Sequence, residues 1–279
     1  MSASTIKTLN VVSLIPFAIA HLYFGYKASI GFDHYVHPSP ILSIGKWAWL
    51  GFQGQALLVI LFQIYQFFDS ALPVVAGVIG SRYAVASLVQ ILAILVWVRT
   101  ANYLAAFILS ALLWLLVLSI YLDVQRKHVS RSFFDLFAVQ GLFSFWLVWS
   151  TYLTIFIGSQ AFNLVHGNIH RSTVWTSIFI LALFAAISIG SAITSDSRPA
   201  GDFNHSFGTF WVTLGVFTAV RHQHKLRSLA WVSGLLAVLT GLVFVYSSYT
   251  AYQAYQARIF LVEDDEAADE RRALLSSNA

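Results

Sequence analysis

The stretch QGLFSFWLVWSTYLTIFIG, residues 140–158, decides the fold class. It is an apolar run rich in tryptophan, phenylalanine and tyrosine, yet it carries Gln140, Ser144, Thr151 and Thr154. At roughly 100° per residue, these four and Gly158 fall within about 40° of one line, with Trp149 opposite and Trp146 and Tyr152 on the flanks. The pattern is a helix with a narrow polar and small seam. A seam of this kind belongs inside a bundle, either against a neighbouring helix or against a ligand.

The rest of the chain places that helix in a membrane. Of 279 residues, 58% are hydrophobic, 16% aromatic and only 10% charged, against the roughly 25% charged usage of soluble domains. A spanning helix needs about 20 mostly apolar residues. Segments near that length occur at 9–28, 47–68, 74–98, 103–122, 136–162, 173–193, 205–220 and 228–250. The expectation is an all-α polytopic bundle of about eight spans over residues 1–257, or seven if 205–220 is re-entrant. The first span also has the shape of a signal peptide, with an Ala-x-Ala ending at Ala20.

Lysine and arginine, nine on one side against seven, favour both termini inside. The first 257 residues hold 13 basic and six acidic side chains, an excess suited to anionic lipid and not to nucleic acid. Residues 258–279 carry six acids against three arginines and are expected to form a disordered tail. Within it, Glu270, Leu274 and Leu275 in ERRALL resemble the acidic dileucine signals read by clathrin adaptors. That resemblance implies a cytosolic tail and an endosomal or vacuolar membrane. The Asn204 sequon abuts a span on the inner side and reads as unused.

The chemistry is marked first by what is missing. All three glutamates lie in the tail, and every other acid falls in a loop or at a span end. Proton- or cation-coupled transporters place carboxylates at mid-membrane, so those classes fall away. There is no cysteine, which removes thiolate ligands and cysteine nucleophiles. No phosphate loop or nucleophile elbow is present, so nucleotide- and serine-based enzyme readings find no support. Histidine is the remaining ionisable type near the bilayer. A metal-dependent lipid hydrolase would need at least three of His21, His34, His37, His166, His170, His205, His222 and His224 to converge.

What remains is amide, hydroxyl and aromatic. Gln53, Gln55, Gln63, Gln66, Gln90 and Gln140 are many glutamines for membrane spans, and each needs a partner or a polar cavity. Of the nine tryptophans, Trp114, Trp146 and Trp149 lie deeper than the interfacial belt. They either pack in the bundle or wall a site for a flat apolar ligand.

HPSPILSIGKWAWLGFQ (37–53), VASLVQILAILVWVR (85–99) and LFSFWLVWSTYLTIF (142–156) together resemble the translocator protein, or tryptophan-rich sensory protein, family in an enlarged form. The family's Trp-x-Pro-Pro and its fifth-span asparagine have no counterpart here. The chain is also similar in plan to fungal multi-span membrane proteins. The resemblance implies a bundle that binds a porphyrin- or sterol-like molecule without catalysis. Its pocket would be built from Trp47, Trp49, Gln53, Gln90, Trp146, Trp149 and Tyr152, and Gln140 and Thr151 on the seam are further candidates to line a cavity. Three readings therefore stand: a binder or mover of a flat hydrophobic ligand, a histidine-metal hydrolase, and a trafficking or scaffolding bundle without ligand.

Overall fold

The computed structural model describes residues 2–29, 41–128, 130, 132–165, 169–193 and 202–277. Its elements are α1 (Ala3–Ser29), a 3-10 turn (Lys46–Trp49) leading into α2 (Leu50–Tyr65), α3 (Arg82–Thr100), α4 (Tyr103–Lys127) and the single turn α5 (Phe133–Asp135). They continue with α6 (Leu142–Ala161), α7 (Arg171–Ile193), α8 (Phe203–Val220) and α9 (Arg227–Ser277), and no strand occurs among the described residues. The all-α bundle expected from the sequence is what forms. By length and composition, α2, α3, α4, α6, α7 and α9 are each long and apolar enough to cross a membrane, giving a multi-pass membrane protein. Helices α1 and α8 stand outside that set. The described part of α1, Ser4–Ile19, is apolar but shorter than a span, and in α8 Asn204, His205, Ser206, Thr209 and Thr213 dilute the apolar run.

Successive long helices run in alternating directions. Asn10 near the start of α1 bonds Gln66 just past the end of α2, whereas Gln53 near the start of α2 donates to the carbonyl of His21. In the next pair, Arg82 at the start of α3 meets Asp123 near the end of α4, and α3 and α6 run parallel, with Trp97 Nε1 donating to Gln160 at 2.7 Å. Helix α6 is the axle of the assembly: its span is 83% buried, against 28% for α4 and for α9. Two apolar cores meet along it. The first half of α6 packs with α1 to α4 around Phe62, Tyr83 and Trp146, and the second half packs with α2, α3, α7, α8 and α9 around Trp49, Trp149 and Tyr152.

Two sequence expectations need correction. The apolar stretch 74–98 is not one helix. Pro73 opens a π-helical turn over Pro73–Ile79, and Gly80, at φ 61° and ψ −146°, takes a positive-φ conformation open to glycine that ends it before α3 begins. The break frees carbonyls, and the guanidinium of Arg82 collects them: it donates to the oxygens of Val78 and Ile79 and pairs with Asp123 of α4 at 2.8 Å. Polarity patterning alone cannot show such a break, because apolar residues continue on both sides of it. The second correction is in the tail, where the backbone remains helical to Ser277. Alanine, glutamate, arginine and leucine dominate that stretch, and all are strong helix formers even where no apolar face is provided. Segment 205–220 falls within α8, a continuous helix.

Candidate functional site

The polar seam of α6 is filled by α4. Thr151 Oγ1 accepts from Trp114 Nε1 at 3.0 Å while donating to the carbonyl of Leu147. Thr154 Oγ1 donates to the carbonyl of Ser110 at 3.0 Å, and Gly158 lies where a Cβ would come within 3.0 Å of the Phe107 ring. Thr151 thus serves helix–helix pairing, of the kind worth about 0.6 kcal/mol per contact. Ser144 turns instead to Asp202, whose Oδ2 accepts from Ser144 Oγ at 2.5 Å and from Gln125 at 3.1 Å. Through Oδ1, Asp202 caps α8 by accepting from the amide of His205. Gln140 is buried in the π-helical turn Leu136–Gly141 that precedes α6.

Trp146 and Trp149 are packed on all sides, and Trp114 is half-buried. Trp146 is fully buried, donates to Gln90 Oε1 at 2.5 Å, and meets Tyr83 and Phe17 edge-on at 5.8 and 5.9 Å. Trp149 sits among Trp49, Phe52, Phe145 and Tyr152, all with ring centroids within 6.3 Å. Tyr152 donates to the carbonyl of Leu42 at 3.1 Å. Trp47 lies apart, at the end of α8, where its Nε1 donates to Thr218.

Around Gln90 a polar cluster crosses the bundle interior. Gln55 donates to Gln90 at 3.4 Å, and the His21 ring is stacked between Phe17 at 3.9 Å and Phe52 at 4.3 Å. His21 Nδ1 bonds the carbonyl of Phe17, leaving Nε2 without a partner, as are Gln55 Oε1 and Gln90 Nε2. Each unpartnered buried group costs about 1–3 kcal/mol. A second cluster joins Asn10, Gln63, Gln66 and Tyr83. With Gln53, which donates to the His21 carbonyl, five of the six glutamines singled out from the sequence are used as interhelical glue. Among the described residues no group of three His, Asp or Glu could hold a metal; His34, His37 and His166 lie outside the described residues.

The open space is elsewhere. A groove of about 420 Å³ runs between α2, the start of α6, α8 and α9. Its walls are Phe137, Phe145, Phe203, Phe207, Phe244 and Tyr252, with Asn204 and Ser248 supplying the side-chain amide and hydroxyl and Gly54 opening the α2 side. Phe145 and Phe207 stack at 6.2 Å, and Phe207 meets Phe244 at 5.3 Å, so the rings form one continuous surface. The neighbouring residue Asp202, with its Ser144 and Gln125 partners, fixes the start of α8 and with it the position of Phe203 and Asn204. None of Trp47, Trp49, Gln53, Gln90, Gln140, Trp146, Trp149, Thr151 and Tyr152 is among the groove residues.

The groove residues carry a weak signal in the sequence. Phe203 and Phe207 stand four apart, as do Phe244, Ser248 and Tyr252, which puts each set on one helical face. The convergence of the two faces requires the third dimension. No family model, no curated protein and no solved structure matches the chain.

Proposed function

We propose that this membrane bundle binds a flat, largely apolar ligand in the aromatic groove between α2, α6, α8 and α9. One observation carries the reading: about 420 Å³ of space walled by six aromatic rings, with an amide and a hydroxyl among them. Ligand sites are concave, mainly apolar and oriented by a small number of polar groups, in the range of about 300–1,000 Å³. Asn204 and Ser248 suit a sterol-like molecule with one small polar end. A porphyrin with two carboxylates would call for cations, and among the described residues the groove lining has none. The resemblance to the translocator family implies the same ligand class, at a pocket built from different residues.

The test is mass spectrometry of lipids and pigments that copurify with the full chain, followed by crosslinking with a photoreactive sterol. The label is expected on peptides of α8 and α9 that contain Phe207 and Phe244. Ala251→Phe, which fills the groove, should reduce labelling at least severalfold while leaving thermal stability unchanged. Equal labelling of wild type and variant, or labelling confined to helices remote from the groove, would overturn the proposal.

A further inference from the structure

A second groove lies on the outer side of α8 and α9. It encloses about 1080 Å³ and is bounded by Phe210, Leu214 and Phe217 of α8 and by the Ala230–Val245 face of α9. Small residues make the room. Gly234 and Gly241 let Phe217 and Phe210 approach so closely that an added Cβ would stand 3.2 Å from either ring. One end of this apolar channel is closed by Arg221 and Arg227. Both are exposed, and neither side chain has a hydrogen-bond or ion-pair partner among the described residues. The connecting segment RHQHKLR, residues 221–227, contains no acid. Trp231, one turn into α9, is 72% exposed, as an indole at the headgroup level is expected to be.

From this juxtaposition we infer that the α8–α9 groove is a site for an anionic phospholipid of the bilayer. The phosphate lies between Arg221 and Arg227, and one acyl chain runs down the channel toward Phe244. Charge complementarity selects the occupant: two unneutralised guanidiniums at the mouth of an apolar channel match a phosphate joined to a hydrocarbon chain, and guanidinium is the donor best shaped for a phosphate. The dimensions agree. From Arg227 to Val245 the helix rises about 27 Å, more than the roughly 15 Å depth of one hydrocarbon leaflet, so an acyl chain fits lengthwise. The site is separate from the aromatic groove, although Phe244 borders both.

Native mass spectrometry of the purified full chain, given equal amounts of dioleoyl phosphatidylglycerol and dioleoyl phosphatidylcholine, tests the inference. The wild type is expected to retain phosphatidylglycerol in preference, by about fivefold for each arginine engaged. Arg221→Gln with Arg227→Gln should abolish the preference, and Arg99→Gln, on a different helix, should leave it intact. Leu242→Trp, which fills the channel with both arginines in place, should lower retention of phosphatidylglycerol several-fold. Inorganic phosphate in excess should not displace the lipid, because it lacks the chain. Equal retention of the two lipids by the wild type, an unaltered preference in the double arginine variant, or displacement by phosphate would overturn the inference. Melting temperatures of the variants within about 2 °C of wild type show that the readout is binding and not misfolding.

Discussion

Replacing Gly51 by alanine is the sharpest test of how the bundle is packed. A Cβ at this position would stand 2.4 Å from Trp149 Cζ2 and 3.0 Å from Trp211 Nε1. Carbon atoms rest at about 3.5–4.0 Å, so the Trp149 ring must retreat by about 1 Å or more. It has nowhere to go, being held by Trp49, Phe52, Phe145 and Tyr152. Trp211 donates to the carbonyl of Ala48 at 2.8 Å, and a push on that indole strains the bond. Overpacking costs about 1–3 kcal/mol, and the bond a further ~1 kcal/mol. Alanine returns up to about 1 kcal/mol in a helix interior, less here because Gly51 is in the first turn of α2. The net expectation is a loss of about 1–3 kcal/mol, seen as a melting temperature lower by roughly 5 °C in detergent. Trp149→Phe removes the atom that clashes, so in the double variant the Gly51→Ala penalty should largely vanish, a coupling of at least ~1 kcal/mol. A Gly51→Ala protein that melts with wild type, or one that Trp149→Phe fails to relieve, would refute this account of the α2–α6 contact.

Gly190 of α7 offers the opposite case, since an added Cβ meets no described residue within 4 Å. Gly190→Ala should raise stability by up to about 1 kcal/mol in the same melting assay. Trp146→Phe removes a buried donor from Gln90 and should cost about 1–3 kcal/mol, whereas Trp114→Phe, whose partner Thr151 keeps its bond to Leu147, should cost about 0.6 kcal/mol; chemical denaturation of the two variants side by side gives the order. Asp123→Asn leaves Arg82 its carbonyl partners and should leave the denaturation midpoint nearly unchanged, because the pair is exposed to solvent screening. Leu274→Ala with Leu275→Ala should move a tagged protein from an endosomal or vacuolar membrane to the cell surface without changing its amount, as scored by microscopy and surface labelling; unchanged location would remove the sorting reading.

The fold class was legible because hydrophobic periodicity and length are local properties. The seam of residues 140–158 marked a helix enclosed by others, and of the three tryptophans set apart, Trp146 and Trp149 are buried in the bundle while Trp114 is half-buried. Their role was not legible. A buried indole that packs against Phe17 and Tyr83 has the same local sequence as one that faces a ligand. Gly80 was passed over because one residue at positive φ is enough to end a helix without interrupting the apolar run around it. The aromatic groove draws its walls from residues 54 to 252, and no spacing along one helix reports on a space between four. Asp202 could have been found, since an aspartate three residues before a free backbone amide is the pattern of a helix N-cap. Its second bond, to Ser144 some 58 positions away, could not.

The glutamine-rich interior has a consequence for how the chain enters a membrane. Helix α2 and the span of α6 are the least hydrophobic of the spanning set, with mean hydropathy 1.4 each, compared with 2.5 for α4. α2 also brings Gln53, Gln55 and Gln63 into the bilayer, and α1 brings Asn10 and His21. A lone helix with such side chains partitions poorly from the translocon into lipid. Their partners are on each other: Gln63 bonds Asn10 and Tyr83, and Gln90 bonds Gln55 and Trp146. Insertion therefore has to be collective, with α1 and α2 held at the translocon until α3, and for Trp146 until α6, has been synthesised. The amides that look costly in the finished bundle set the order in which the protein can be made.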